Sequence, residues 1–143
     1  MTMNEEFHYR VRVYYEDTDA AGVVYYANYL KWMERARTEW LHTQDLSLAE
    51  LQRQGCVLAV HHIDVTYHRP ARLEDVLSVS CDLIEMGFSR LRFRHRIERF
   101  GRLLAESTAT LAVIDPVAFK SIRLPETIKE RFLKRLKPDQ GSE

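Results

Sequence analysis

The chain alternates between two periodicities. Near its start, Phe7, Tyr9, Val11, Val13 and Tyr15 alternate with His8, Arg10, Arg12 and Tyr14, the period-two pattern of a strand. Asp19-Ala20-Ala21-Gly22 breaks that pattern, with Gly22 free to take a positive φ in a turn. The period then changes to that of a helix, predicted from about Tyr26 to His42. Tyr29, Leu30, Met33, Ala36, Arg37, Trp40 and Leu41 fall on its apolar face, with Lys31, Glu34, Arg35, Thr38 and Glu39 outward. Ser47 reads as the N-cap of a short helix over Leu48 to Gln54, stopped by Gly55. Four strand-like runs follow: Cys56 to Tyr67, Val76 to Met86, Ser89 to Phe100 and Leu103 to Asp115. Pro70, Gly87 and Gly101 mark the connections, and Pro125 opens a C-terminal helix through Leu136. One strand, one long helix and then consecutive strands make an α+β layout, a helix against an antiparallel sheet of about five strands.

Composition narrows the field of functions. At 143 residues the expectation is a single domain over residues 1–143, ending in a flexible tail over 137–143. Lys plus Arg number 21 and so do Asp plus Glu, giving zero net charge, which argues against generic nucleic-acid or membrane-surface binding. The first ten residues contain Glu5 and Glu6 and no apolar run, and Leu111-Ala112-Val113-Ile114 is too short to span a bilayer. Cys56 and Cys81 lie in apolar surroundings and read as reduced, buried thiols of a cytoplasmic protein.

The densest chemical signal is Tyr14 through Tyr29, where Glu16, Asp17 and Asp19 sit between a strand and a helix. Acids before a helix often do no more than stabilise its positive end. Here they stand several residues ahead of the first turn, and Ala20, Ala21, Gly22 and Val23 allow a ligand close to the backbone. A carboxylate near unpaired N–H groups is the equipment of acyl transfer: an acid as base or nucleophile, amides as an oxyanion hole.

Other signals are weaker. Arg90, Arg92, Arg94 and Arg96 share one strand face, read as a solvated face balanced by acids such as Glu106. His61, His62, Asp64 and His68 do not converge on one ion, because His61 points away from His62 and Asp64. Gly87-Phe88-Ser89 lacks the second glycine of a nucleophile elbow, and no phosphate loop or dinucleotide fingerprint is present. Hydrolysis without metal or cofactor remains.

Tyr15-Glu16-Asp17-Thr18-Asp19, Gly22-Val23-Val24-Tyr25, Asn28-Tyr29 and Glu34-Arg35-Ala36-Arg37-Thr38-Glu39, with Tyr67, Pro70-Ala71-Arg72-Leu73 and Asp75, carry a resemblance. From about Tyr9 to Phe132 the chain resembles the 4-hydroxybenzoyl-CoA thioesterase family, closest to its Tol-Pal-associated acyl-CoA thioesterase branch. The resemblance implies a hot-dog fold, in which a long central helix is wrapped by a curved antiparallel sheet. It puts the catalytic carboxylate on Asp19 and the oxyanion donor on the backbone N–H of Tyr26. Many members of that branch carry His at the Tyr26 position, an exchange that leaves the backbone donor in place. Gly22, Val23, Tyr25, Asn28, Ser89 and Arg90 are the implied substrate-binding residues. The family assembles as dimers or tetramers, so Leu58, Ala59 and Val60 of a partner chain are the implied wall of an acyl pocket. The aromatic-acyl contacts of hydroxybenzoyl-specific enzymes fall on Glu34 and Ala59, which do not match, so a short aliphatic acyl-CoA is the implied substrate. The implied partners are acyl-CoA, an acyl carrier protein and further copies of the chain, with no cofactor. The competing class is a non-catalytic scaffold for cell-envelope machinery or for acyl carrier protein. A hot-dog dehydratase is disfavoured because the helix start lacks its histidine base.

Overall fold

The computed structural model describes residues 6–138, so the segment 139–143 of the expected tail lies outside the described residues. Strand β1 (His8–Arg12) leads through a 3-10 turn (Tyr15–Asp17) to helix α1 (Ala27–His42) and helix α2 (Leu48–Arg53). Strands β2 (Val57–Tyr67), β3 (Val76–Ser80), β4 (Asp82–Met86), β5 (Arg90–Arg99) and β6 (Arg102–Ile114) follow, then helix α3 (Glu126–Leu133). The strands form an antiparallel sheet of order β1-β3-β5-β6-β2, with β4 also paired to β5. The α+β layout expected from the periodicities is the one observed. Ser47 caps α2 as read, its hydroxyl accepting from the Glu50 N–H at 3.0 Å.

Three local features differ. The first strand ends at Arg12, because Val13 turns inward and exchanges backbone bonds with Asp75 and Glu74 at 2.8 and 2.9 Å. Tyr14 and Tyr15 are therefore exposed loop residues. The run expected as one strand over 76–86 is two, parted at Cys81. There the Ser80 carbonyl accepts from the His95 ring at 2.9 Å and the Ser80 hydroxyl from the Arg96 N–H at 2.9 Å. Side-chain bonds displace a rung of the backbone ladder, which makes six strands of the expected five. Trp32, placed on no face by the sequence reading, is 1% exposed and meets Tyr29 edge-on at 5.8 Å.

The chain divides into two compact units. The first comprises residues through Trp40, Val65–Cys81 and His95–Ser107. Its apolar core includes Val13, Trp32, Met33, Leu77, Val79 and Ile97. Within it lies His95, fully buried. Its Nδ1 faces the Ser80 carbonyl, which can only accept, so Nδ1 carries the hydrogen and Nε2 accepts from Arg37 Nη1 at 3.0 Å. Burial, reinforced by the Arg37 charge, pushes the His95 ring down to about 3, so it is neutral in the core. Arg37 reaches that core from the apolar face of α1 because a neutral imidazole nitrogen awaits it.

The second unit comprises Leu41–Asp64, Asp82–Arg94 and residues from Thr108 onward. Leu51, Leu83, Phe93, Val113, Ile128 and Phe132 form its core, and Cys56 is buried in it as a free thiol. Arg92 pairs with Glu85 at 2.9 Å, across the β4–β5 ladder. Glu85 is thus the acid that meets Arg92 of the arginine row, while the Glu106 carboxylate pairs with His68 at 2.8 Å in the first unit. Strand register decides this, since Glu85 lies directly opposite Arg92.

The tie between α1 and the loop after β2 supplies a stability test. The Tyr29 hydroxyl accepts from the N–H of fully buried Ala71 at 3.0 Å. Tyr29→Phe leaves that donor unpaired and is expected to cost about 1–3 kcal/mol, read from denaturant unfolding.

Candidate functional site

The loop between β1 and α1 gives its acids different tasks. Asp17 is 7% exposed. Its Oδ2 accepts from the Tyr14 N–H at 2.8 Å, and Lys31 Nζ stands 3.9 Å from Oδ1. Its carbonyl accepts from the Tyr25 N–H at 2.9 Å and from Asn28 Nδ2 at 2.8 Å. Asp17 and Asn28 are thus the inner struts of the loop. Glu16 is exposed.

Asp19 lies at the surface in a tight turn closed by the Thr18–Val24 bridge. Its Oδ1 accepts from the Ala21 N–H at 2.8 Å and from the Val23 N–H at 3.4 Å. Its backbone N–H donates to the Val23 carbonyl, and its carbonyl accepts from the Gly22 N–H, both at 2.9 Å. Gly22 turns the chain at φ +82°, a conformation that a side chain strains. One carboxylate oxygen is engaged in holding the turn. Among the described residues Oδ2 has no hydrogen-bond partner.

The turn delivers the chain to the start of α1. Val23 bridges Arg72, and the Val24 N–H donates to the Ala71 carbonyl at 2.9 Å. The Tyr25 carbonyl accepts from the Asn28 N–H, and the Tyr26 carbonyl from the Tyr29 N–H at 3.3 Å. No acceptor among the described residues faces the N–H groups of Tyr26 and Ala27. They are first-turn donors of a 16-residue helix whose first turn contains no acid, so no side chain of its own turn offsets the dipole there.

Aromatic rings surround this helix start. Tyr25 and Tyr26 lie 4.8 Å apart, and Tyr67 stands edge-on to Tyr26 at 6.4 Å and to Tyr29 at 5.2 Å. A hydrogen bond donated to the Tyr26 side chain raises the Tyr25 phenol, whereas burial raises those of Tyr29 and Tyr67. A cleft of about 280 Å³ opens here, lined by Val24, Tyr26, Tyr29, Tyr67, His68, Arg69 and Pro70. Reading the sequence for site residues missed the Tyr67–Pro70 part of this cleft. The available signal was a strand ending in Tyr with Pro three residues on, which stops the ladder and turns the chain.

The remaining candidates lie in the second unit. Leu58 and Ala59 are half-buried and Val60 is 54% exposed, all on β2. Ser89 ends the β4–β5 turn and Arg90 opens β5, where the Arg90 carbonyl accepts from the Gly87 N–H and the Ser89 carbonyl from the Val113 N–H. Arg90 itself is exposed. His62 stands 3.8 Å from Asp64 on the same strand face. Among the described residues no group of three His, Cys, Asp or Glu side chains is arranged to hold a metal ion.

Comparison with known proteins gives one answer. The pattern of the thioesterase-like superfamily matches residues 13–132. The chain is 39% identical over 127 residues to the acyl-CoA thioester hydrolase YbgC of Escherichia coli, covering 88% of this chain and 95% of that one. It is 36% identical over 131 residues to the acyl-CoA thioesterase YbgC of Haemophilus influenzae, covering 91% and 96%. In structure it resembles a 1,4-dihydroxy-2-naphthoyl-CoA thioesterase from Synechocystis, with a TM-score of 0.82 and 26% identity over 90% of this chain and 96% of that one. An α+β fold of this strand order, an acid in the turn before the long helix and matches along most of the chain's length lead to one conclusion: the chain belongs to the thioesterase-like superfamily of hot-dog-fold thioester hydrolases.

Proposed function

We propose that this chain hydrolyses the thioester of acyl-CoA, releasing a free acid and the coenzyme A thiol. The carboxylate of Asp19 acts in one of two ways. As nucleophile it attacks the carbonyl carbon, the C–S bond breaks with departure of the thiolate, and water cleaves the resulting mixed anhydride. As general base it takes a proton from the water that attacks in its place. The backbone N–H of Tyr26 receives the oxyanion in either case. The single observation that carries this reading is the loop from Asp19 to Ala27. It presents an exposed carboxylate with one unengaged oxygen, and backbone donors with no acceptor among the described residues. A donor of that kind is worth roughly 3 kcal/mol to an oxyanion.

Gly22, Val23 and Tyr25 border the reacting carbonyl in this reading, and Asn28 braces the loop beneath it. Ser89 and Arg90 meet the coenzyme. A short aliphatic acyl group is the preferred substrate in this reading, because the sequence resemblance implies Glu34 and Ala59 at the ring-contact positions of hydroxybenzoyl-specific enzymes, where they do not match. The working unit is a homodimer or a tetramer. β2 supports this, since it ends the strand order and carries Leu58, Ala59 and Val60 for a partner to use. A free strand edge of that length invites pairing with a second copy. No helix among the described residues is long and apolar enough to cross a membrane, which suits action on acyl-CoA in the cytoplasm.

The test is free-thiol release across acyl-CoA thioesters of increasing chain length, with acyl carrier protein thioesters alongside. Turnover highest on short-chain acyl-CoA is the expected result. Hydrolysis of none of them would point instead to a scaffold that binds acyl carrier protein or envelope machinery.

A further inference from the structure

The free donors at the start of α1 are only as useful as the rigidity of the turn that carries them. A contact from outside the helix reaches the backbone of that turn. The Tyr67 hydroxyl, at the end of β2, donates to the Tyr26 carbonyl at 3.0 Å. The same carbonyl takes the Tyr29 N–H at the longer distance of 3.3 Å. The peptide unit whose oxygen receives the phenol carries the Ala27 N–H at its other end, and the Tyr26 N–H is one residue earlier. A hydrogen bond to an amide oxygen draws electron density through the peptide group and strengthens its N–H as a donor. It also holds the plane of that peptide against rotation.

Tyr67 is itself well held. Its ring meets the edges of Tyr26 and Tyr29. The residues after it anchor the strand end, with the His68 and Arg69 N–H groups donating to the Leu104 carbonyl at 2.7 and 3.1 Å. Tyr29 is fixed in turn by the Ala71 N–H. Burial raises the Tyr67 phenol above its ordinary value, so it stays protonated and able to donate at neutral pH.

We propose that Tyr67 is a positioning residue for the oxyanion donors: its hydroxyl, seated on the Tyr26 carbonyl, polarises the Ala27 N–H and holds in place the peptide that follows the Tyr26 N–H. This rests on the reading of the helix start as the oxyanion hole. Tyr67 touches no reacting atom and acts through the peptide it holds. Its effect therefore belongs in the transition state, where charge develops on the oxyanion, and not in ground-state binding.

Tyr67→Phe tests this, since it keeps the ring and its edge contacts and removes only the hydroxyl. The expected result is a roughly tenfold fall in kcat with KM held within about twofold. The unfolding midpoint stays at the wild-type value, and in the amide NMR spectrum the Ala27 N–H moves upfield as its polarisation is lost. An unchanged kcat would overturn the proposal, as would a loss of activity matched by a fall in unfolding midpoint or appearing in KM alone. If the wild-type chain releases no thiol from any thioester, the reading of the site fails and the proposal with it. If the wild type is active and the Phe variant equals it, only the role of Tyr67 fails.

Discussion

Asp19→Asn is expected to lower turnover by about 10³-fold or more while the protein unfolds at the wild-type midpoint. The asymmetry comes from the two tasks of the side chain. Its Oδ1 accepts from the Ala21 and Val23 N–H groups, and an asparagine Oδ1 can accept from both. The turn that presents Gly22 and leads into α1 thus survives the exchange. What is lost is the negative charge, and with it the capacity to attack a thioester carbonyl or to take a proton from water. Because the residue is exposed, no buried group is stranded by the change. Thiol release by wild type and variant, measured beside thermal unfolding, checks both halves. Near-normal hydrolysis by the variant would remove Asp19 from the chemistry and leave it as a turn residue.

The second large effect is on stability and comes from His95. Its folded-state value of about 3 lies below the ordinary 6.5, so below pH 6.5 the unfolded chain binds a proton that the folded chain refuses. Stability from this group is complete above pH 6.5 and is lost as pH falls toward 3. The slope over that window approaches about 1.4 kcal/mol per pH unit, or roughly 2 kcal/mol between pH 6.5 and about 5, before most carboxylates titrate. His95→Gln provides the comparison. It gives up the bond to the Ser80 carbonyl and is less stable at neutral pH, yet its amide oxygen can still accept from Arg37. Since glutamine does not titrate, the acid-side slope should flatten. Denaturant unfolding of both proteins at several pH values makes the measurement. Parallel curves would mean that the His95 ring takes up its proton in the folded state.

Much of the fold was legible because local patterns and tertiary packing agree. α1 begins and ends within one residue of the range set by its apolar stripe, and α2 follows from Ser47 and Gly55. Where the reading fell short, a side chain did something periodicity does not encode. Cys81 sits in an unbroken apolar alternation, yet the ladder parts there because the Ser80 carbonyl and hydroxyl are taken by His95 and Arg96. Arg37 lies on the apolar face of α1, and the reason, a neutral histidine 58 residues further along the chain, has no local signature. The candidate site divides the same way. The carboxylates and the small residues after Asp19 announced a turn suited to chemistry, whereas Tyr67 and Pro70 reach the helix start only through the folding back of β2.

The sequence by itself determined which segments are helix and which are strand, that Asp17 and Asp19 share a turn ahead of a long helix, and that the chain resembles thioesterases. These follow from side-chain periodicity, turn residues and local spacing, all properties of neighbours along the chain. Only the tertiary structure decided that Asp17 is a buried strut while Asp19 stands exposed with one oxygen unengaged. It alone set Glu85 opposite Arg92 and put the Tyr67 hydroxyl on the Tyr26 carbonyl. Those outcomes depend on burial, strand register and contacts between residues distant in sequence, and spacing along a chain does not specify them.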